Sequence, residues 1–168
     1  MRKIGKKAAI RKIMVPTDFS PSSDRALDYA ISLAQCFGAT VLLLHVIEPF
    51  PYSVTDSLTV VDHFKALHTI ASSLIKEARK KLTLKNIPSE TRLVSGSPYR
   101  EIVKEVERNK ADLIVMGTHG RTGVGRLLIG SQAEKVVRLA GCPVATVRLL
   151  PSEEGKDKKK PKRPARKR

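Results

Sequence analysis

The chain has no tryptophan and few other aromatics, with only three Tyr and four Phe in 168 residues. Tyr52 and the rest do not interleave with the basic clusters, which counts against recognition of single strands by base stacking. Cysteine is equally scarce. Cys36 and Cys142 each stand alone in an apolar setting, without the paired spacing of a metal, redox or disulfide motif. Both read as small buried core residues. Long apolar runs are missing too: residues 40–47 and 113–116 fall far short of the roughly 18 residues of a membrane span. The start of the chain lacks the apolar core of a signal peptide. These absences point to a cytoplasmic protein with no membrane partner. No repeat at a fixed period is present, which excludes a solenoid.

Acidic residues are also under-represented, 16 against 32 Lys and Arg, for a formal charge of +16. That excess is uneven. Residues 1–12 hold six basic residues and no acid, and residues 151–168 hold nine basic and three acidic. Residues 13–150 hold 17 basic and 13 acidic, so the body is nearly balanced. Three units follow: a basic N-terminal extension (1–10), one domain (11–150) and a basic tail (151–168). The tail has no apolar residue larger than Ala or Pro from Lys156 onward, cannot offset the entropy of ordering, and is expected to be disordered. It can be read as serving solubility, nonspecific nucleic-acid binding, or docking to an acidic protein partner.

The body reads as alternating strands and helices. Residues 10–15 suit a strand stopped by Pro16, with turn and cap residues over 17–23. Ala26, Leu27, Ala30, Ile31, Leu33, Ala34 and Phe37 then recur at helical spacing, closed by Gly38. Residues 40–46 form a branched apolar run without alternation, as a strand covered on both faces does. Residues 48–58 read as a connection. A long helix follows, with Val60, Val61, Phe64, Leu67, His68, Ala71, Leu74, Ile75, Ala78 and Leu82 on one face. Strands are expected at 90–94, 112–117 and 143–150, with helices beginning at Pro98 and at Ser131. Five strands and four helices in this order predict a single Rossmann-like α/β domain: a five-stranded parallel sheet with helices on both faces.

Ligands of such sheets collect at the carboxyl edge, near a reversal of strand order. Pro16, Thr17 and Asp18 arrive there from the first strand, His45, Val46 and Ile47 from the second, and Met116 and Gly117 from the fourth. Gly117, Gly120, Gly130 and Ser131 then form a glycine-spaced loop running from a strand into a helix start. Glycines let a backbone approach a polyanion, and the amides of a helix N-terminus offer donors and a positive dipole end. Arg121 and Arg126 lie in the loop as bidentate phosphate partners or as solvated charges. No Lys follows Gly130, so this is not a Walker loop. Asp18 can contact nucleotide or cap the first helix, and His119 can meet ligand or solvent. His45 reads as a hydrogen-bonded core residue, and His63 and His68 are too scattered for a metal site.

With Gly, two residues, Gly, nine residues, Gly and Ser, the loop resembles that of the ATP-binding members of the universal stress protein family. The resemblance extends to residues 15–20, Leu44 His45 Val46, Gly96 Ser97 Pro98, residues 114–117 and Cys142 Pro143 Val144, and spans about 11–150. It implies an adenine nucleotide α-hydrolase-like fold. Asp18 and Val46, the latter through its backbone, would hold ribose and adenine; Met116, Gly117, His119, Gly120, Gly130 and Ser131 would surround ribose and phosphates. Gln132 stands where many members have a small apolar residue. The resemblance also implies a homodimer through the last strand, residues 144–148 from Val144 to Arg148. The expected function is an ATP-binding, nucleotide-responsive stress or signalling dimer with no assigned catalytic residue. A slow ATP hydrolase using Mg or Mn, with Asp18 near the metal through Mg-ATP, and a nucleic-acid-associated protein acting through the tail are the other readings.

Overall fold

The computed structural model describes residues 9–48, 57–118 and 129–148. His119, Gly120, Arg121, Arg126 and both basic ends lie outside them. The elements are β1 (Lys12–Pro16), α1 (Pro21–Phe37), β2 (Thr40–Ile47), α2 (Ser57–Leu84), β3 (Ser89–Ser95), α3 (Pro98–Asn109), β4 (Leu113–Gly117), α4 (Ser131–Leu139) and β5 (Val144–Val147). All pair in parallel, in the order β3-β2-β1-β4-β5.

Alternation along the central strands divides the core into two layers. Ile13, Val15, Val41, Leu43 and Val115 face α1 and α2, meeting Ala26, Leu27, Ala30, Ile75 and Leu82. Met14, Leu42, Leu44, Ile114 and Met116 face α3 and α4, meeting Ile102, Val106, Ala133 and Val136. A strand buried on both faces has no need of polar residues, which is why β2 reads TVLLLHVI. The order steps from β1 outward to β3 and then from β4 outward to β5. Because parallel crossovers are right-handed, that reversal places the two helix pairs on opposite faces.

α1 begins where Ser20 accepts from Ser23 N, with Pro21 in its first turn, and ends at Gly38, whose φ of 65° suits the left-handed cap. Lys81, near the end of α2, clips that helix to Asp24 (2.8 Å) and Asp28 (3.3 Å) of α1. Partial burial pulls the ammonium down, but the Asp24 hydrogen bond and charge, aided by Asp28, outweigh it and leave its pKa raised. The clip is therefore present at neutral pH and is lost only as pH rises through that raised value. On the other face, Glu105 of α3 is only 1% exposed. Arg108 and Asn109 donate to its carboxylate at 2.9 Å each, with Arg92 of β3 at 4.0 Å. A buried charge needs such partners to be tolerated.

Several expectations need correction. Cys36 is exposed and Cys142 half-buried, so neither is a fully buried core residue. Cys36 lies two positions beyond Ala34, about 200° around the helix from the packed face. Phe37, in the last turn, is 52% exposed. On α2 only part of the expected stripe is covered: Ala71, Ile75 and Leu82 are buried, whereas Phe64, His68 and Leu74 are exposed. The helix also starts earlier than expected, at Ser57.

Gly117 closes β4 directly against α1. A Cβ there would lie 2.9 Å from the Ser22 carbonyl carbon and 3.0 Å from its oxygen, and would also strike the Ser22 hydroxyl. Gly117→Ala is expected to destabilise the fold by about 1–3 kcal/mol, the usual range for overpacking. Ser22→Ala in the same chain should not restore stability, because the obstacle is backbone. Urea unfolding of both variants checks this; an unchanged midpoint for Gly117→Ala contradicts the close approach.

Candidate functional site

The carboxyl edge has a gap because the central strand is too short. β1 pairs with β2 up to Pro16↔Leu44, but with β4 only at Ile13↔Leu113 and Met14↔Ile114. Alternate residues of a strand address opposite neighbours. Thr17 N donates to Leu44 O at 2.8 Å, and Lys12 O accepts from Asp112 N at 2.9 Å. Odd positions of β1 thus face β2, and even positions face β4. Pro16 falls on the β4 side, where it has no N–H to donate, so a proline inside this central strand costs no bond to β2.

β2 and β4 each run three residues beyond their last common level with β1, Leu44 and Ile114. The same alternation directs the backbone of Val46 from one side, and of Gly117 from the other, toward the lane that β1 has left. A lane one missing strand wide separates its borders by about 9–10 Å. Pro16, Thr17, Asp18, Val46, Met116 and Gly117 all belong to this edge.

The β1 side of the lane is held by short-range hydrogen bonds. Asp18 Oδ1 accepts from Ser20 N at 3.1 Å and from Ser20 Oγ at 2.6 Å, an Asx turn that steadies Ser20; the N-cap of α1 is Ser20, not Asp18. Thr17 Oγ1 accepts from Phe19 N at 3.0 Å and lies 3.1 Å from Ser23 Oγ. Phe19 itself has a φ of 62°, an uncommon conformation for a bulky residue. Its ring lies 4.4 Å from the imidazole of His45. His45 Nδ1 donates to Thr17 O at 2.7 Å, since a carbonyl can only accept. His45 is thus the hydrogen-bonded core histidine expected, and it fixes the carbonyl at the point where β1 turns away. Nothing in the sequence singled out Phe19, because an aromatic residue is a poor marker for positive φ.

The β4 side is tied together by backbone bonds. Thr118 N donates to Val147 O at 3.0 Å, and Gly130 N donates to Thr118 O at 2.7 Å. The chain thus returns to the end of β4 before α4 begins, which closes the glycine-spaced loop at its base. Gly130 is the N-cap of α4 with no side-chain cap bond, and Ser131 is the first helical residue and exposed. Gln132 reaches across instead: its Oε1 accepts from Tyr99 N at 3.2 Å. That bond satisfies an amide in the first turn of α3, where Ser97 makes no side-chain cap. The side chain of Met116 is packed in the layer beneath α3 and α4, leaving its backbone at the edge.

No group of three or more His, Cys, Asp or Glu side chains is placed to hold a metal among the described residues. The Cys142 thiol is pushed up by burial and by the Asp112 carboxylate, against an opposing hydrogen bond with the Ile114 backbone. That keeps it in the unreactive protonated form. No described helix is long and apolar enough to cross a membrane.

Known proteins share this architecture. Residues 9–148 match the model of the universal stress protein family. A universal stress protein of Methanocaldococcus jannaschii is 36% identical over 141 residues, covering 82% of each chain. A second one from the same archaeon is 31% identical over 153 residues, covering 82% of this chain and 94% of its own. The solved structure of that second protein superposes with a TM-score of 0.77 at 29% identity, covering 85% of this chain and 99% of that one. A universal stress protein solved in complex with cAMP superposes with a TM-score of 0.65 at 26% identity, covering 83% of this chain and 98% of that one. With the family model spanning nearly all of its sheet and helices, this chain belongs to the universal stress protein family.

Proposed function

We propose that the lane between β2 and β4 binds an adenine nucleotide, with ATP as the ligand, and that occupancy alters the behaviour of a dimer in stress or signalling. The observation that carries this reading is Gly130. Its φ of −58° and ψ of 147° are open to any residue, so the backbone conformation alone does not call for glycine. Close approach of a ligand to the backbone at a helix N-terminus, where the amides that follow Gly130 have no partner within the helix, does. Gly117 and Val46 direct backbone groups into the same lane, which suits the edge of a base or a ribose. The related protein with cAMP supports an adenine nucleotide as the class of ligand.

Within this reading Asp18 lies on the ribose side, Ser131 adds a hydroxyl and an amide at the phosphates, and His119, Gly120, Arg121 and Arg126 complete the loop. A divalent ion would arrive with the phosphates and meet the Asp18 carboxylate. A phosphate-borne Mg or Mn needs only one or two protein carboxylates. Such an ion would neutralise phosphate charge beside Asp18. The chain's own residues position the nucleotide, and the reading is one of binding rather than turnover.

The dimer is proposed to form along β5, the last strand of the sheet. Pro143 O and Val147 O accept from β4, so the backbone of the intervening even residues, Val144 and Thr146, points away from the sheet. An outward row of strand groups is a template for a second copy.

Two measurements test these readings. Gly130→Asp places a favoured N-cap residue, and with it a negative charge, where phosphate would sit. ATP affinity by calorimetry should fall at least about tenfold, the effect of roughly 1.4 kcal/mol, with thermal stability retained. Unchanged affinity in the folded variant contradicts the pocket. Thr146→Pro removes only an outward-facing N–H, so sedimentation should show a folded monomer; a persistent dimer contradicts the β5 interface.

A further inference from the structure

The edge of β5 is too small to hold two copies together by itself. The strand has four residues, whereas a stable interface engages about 20–30 residues a side. It is also poorly covered within its own sheet: Thr146 is exposed and its three neighbours are only half-buried, although parallel strands are ordinarily covered on both faces. Ala145 and Val147 turn toward the α1 layer. On that side a cavity of about 410 Å³ lies between Val147, Arg148 and the outer surface of α1, where Arg25, Asp28, Tyr29 and Ser32 recur at helical spacing. Tyr29 is 49% exposed there.

The register of the edge fixes what a second copy brings to this cavity. Val144 and Thr146 carry the outward backbone groups, so antiparallel pairing of β5 with itself uses them all when Val144 faces the partner's Thr146. The two-fold axis then lies level with Ala145. Val147 is in register with Gly117, and Gly117 lies against Ser22 in the first turn of α1, so Val147 and Ser22 share a level. Ala145 lies about 7 Å below that level along the strand, and Tyr29 about 10 Å below it along α1, which runs back from the carboxyl edge. A two-fold at Ala145 therefore carries the partner's Val147 to about 13 Å and the partner's Arg25 to about 9 Å below the same level, on either side of Tyr29. The two α1 helices stand on β4 and its copy, three strand spacings or about 14–15 Å apart. That exceeds the roughly 8–10 Å of direct helix contact and leaves a gap that large side chains span.

We infer that Tyr29 of each copy anchors the dimer, seated in the other copy's cavity between the partner's Arg25 and the partner's Val147. This rests on the β5 reading above and adds what that edge lacks, a desolvated centre. The chemistry is complementary. A guanidinium presents its flat face to an aromatic ring while its edge still donates hydrogen bonds, so Arg25 and Arg148 suit the flanks of the ring, and Val147 gives it apolar contact. The two-fold repeats the contact, so one residue supplies two anchors. Aromatic residues seated in such pockets are the usual centres of binding energy. Phe37, at the other end of α1, is as exposed, at 52%. It lies about 22 Å below Val147, past the level at which the partner's α1 begins.

Sedimentation of full-length variants tests the anchor, with circular dichroism confirming that each is folded. Tyr29→Ala should weaken the dimer at least about tenfold, the effect of roughly 1.4 kcal/mol, while Tyr29→Phe, which keeps the ring, should stay within about twofold of the intact chain. Phe37→Ala should leave the dimer unchanged. An unchanged dimer in Tyr29→Ala, or an equal loss in Tyr29→Phe or Phe37→Ala, overturns the anchor; if Thr146→Pro is then monomeric, the β5 edge stands without it. A dimer that persists in Thr146→Pro, or an intact chain that is monomeric, removes the edge and the anchor together.

Discussion

The early departure of β1 from the sheet is the constraint on which the carboxyl edge depends. Pro16 has no N–H on the side facing β4, and recorded pairing with β4 stops two residues earlier, at Met14. β2 and β4 continue without it, so their backbones face each other across the space of one strand. The lane is made by continuing two strands and omitting the one between them. His45, bonded to Thr17 O at 2.7 Å, and Phe19, held at φ 62°, stabilise the turn that takes β1 out of the plane. The strain at Phe19, of order 1–3 kcal/mol for a non-glycine residue in a sparsely populated region, sits at the turn out of the sheet.

The two described glycines of the loop motif have different physical grounds. Gly117 is required by packing, since the first turn of α1 lies where its Cβ would be. Gly130 has ordinary dihedral angles, and its amide already bonds Thr118 O. A spacing motif merges the two, and only geometry separates the glycine that packing requires from the one for which a ligand is proposed. Gln132 makes a similar point. Where a small apolar residue would leave Tyr99 N without this partner, Gln132 supplies one and joins the starts of α3 and α4.

Much of this fold was legible in the sequence because buried parallel strands have little freedom in composition. β2 and β4 stood out as continuous apolar runs, and the alternation of strands and helices fixed the doubly wound class. Element ends were less clear. Pro16 reads as a stop yet is the last residue of β1, because a strand of such a sheet can lose a donor on one side and keep its pairing on the other. Phe37, Phe64 and Leu74 follow helical periodicity but are exposed, since periodicity does not say where the neighbouring sheet ends. Cys36 was assigned to the core on residue type, whereas its angular position turns it outward. At the carboxyl edge, the positions of Asp18 and Val46 beyond their strands' pairing with each other, and of Gly130 at the start of α4, were legible in the sequence. The Ser22–Gly117 approach and the place of Thr118 as the hydrogen-bonded link between β5 and Gly130 were not, because both depend on spatial neighbours far apart in the chain.

One row of backbone bonds links the proposed nucleotide site to the proposed dimer edge. Gly130 is bonded to Thr118, Thr118 to Val147, and β5 carries the outward edge proposed for a second copy. A ligand that pulls on Gly130 would thus act on the strand that carries this proposed edge. Titration of the ¹⁵N-labelled full chain with ATP, followed by amide NMR, tests the central claim most directly. The account predicts that the amides of Val46, Gly117 and Gly130 shift together and saturate at one ATP per chain. Binding of ATP that leaves these three amides unmoved would contradict it.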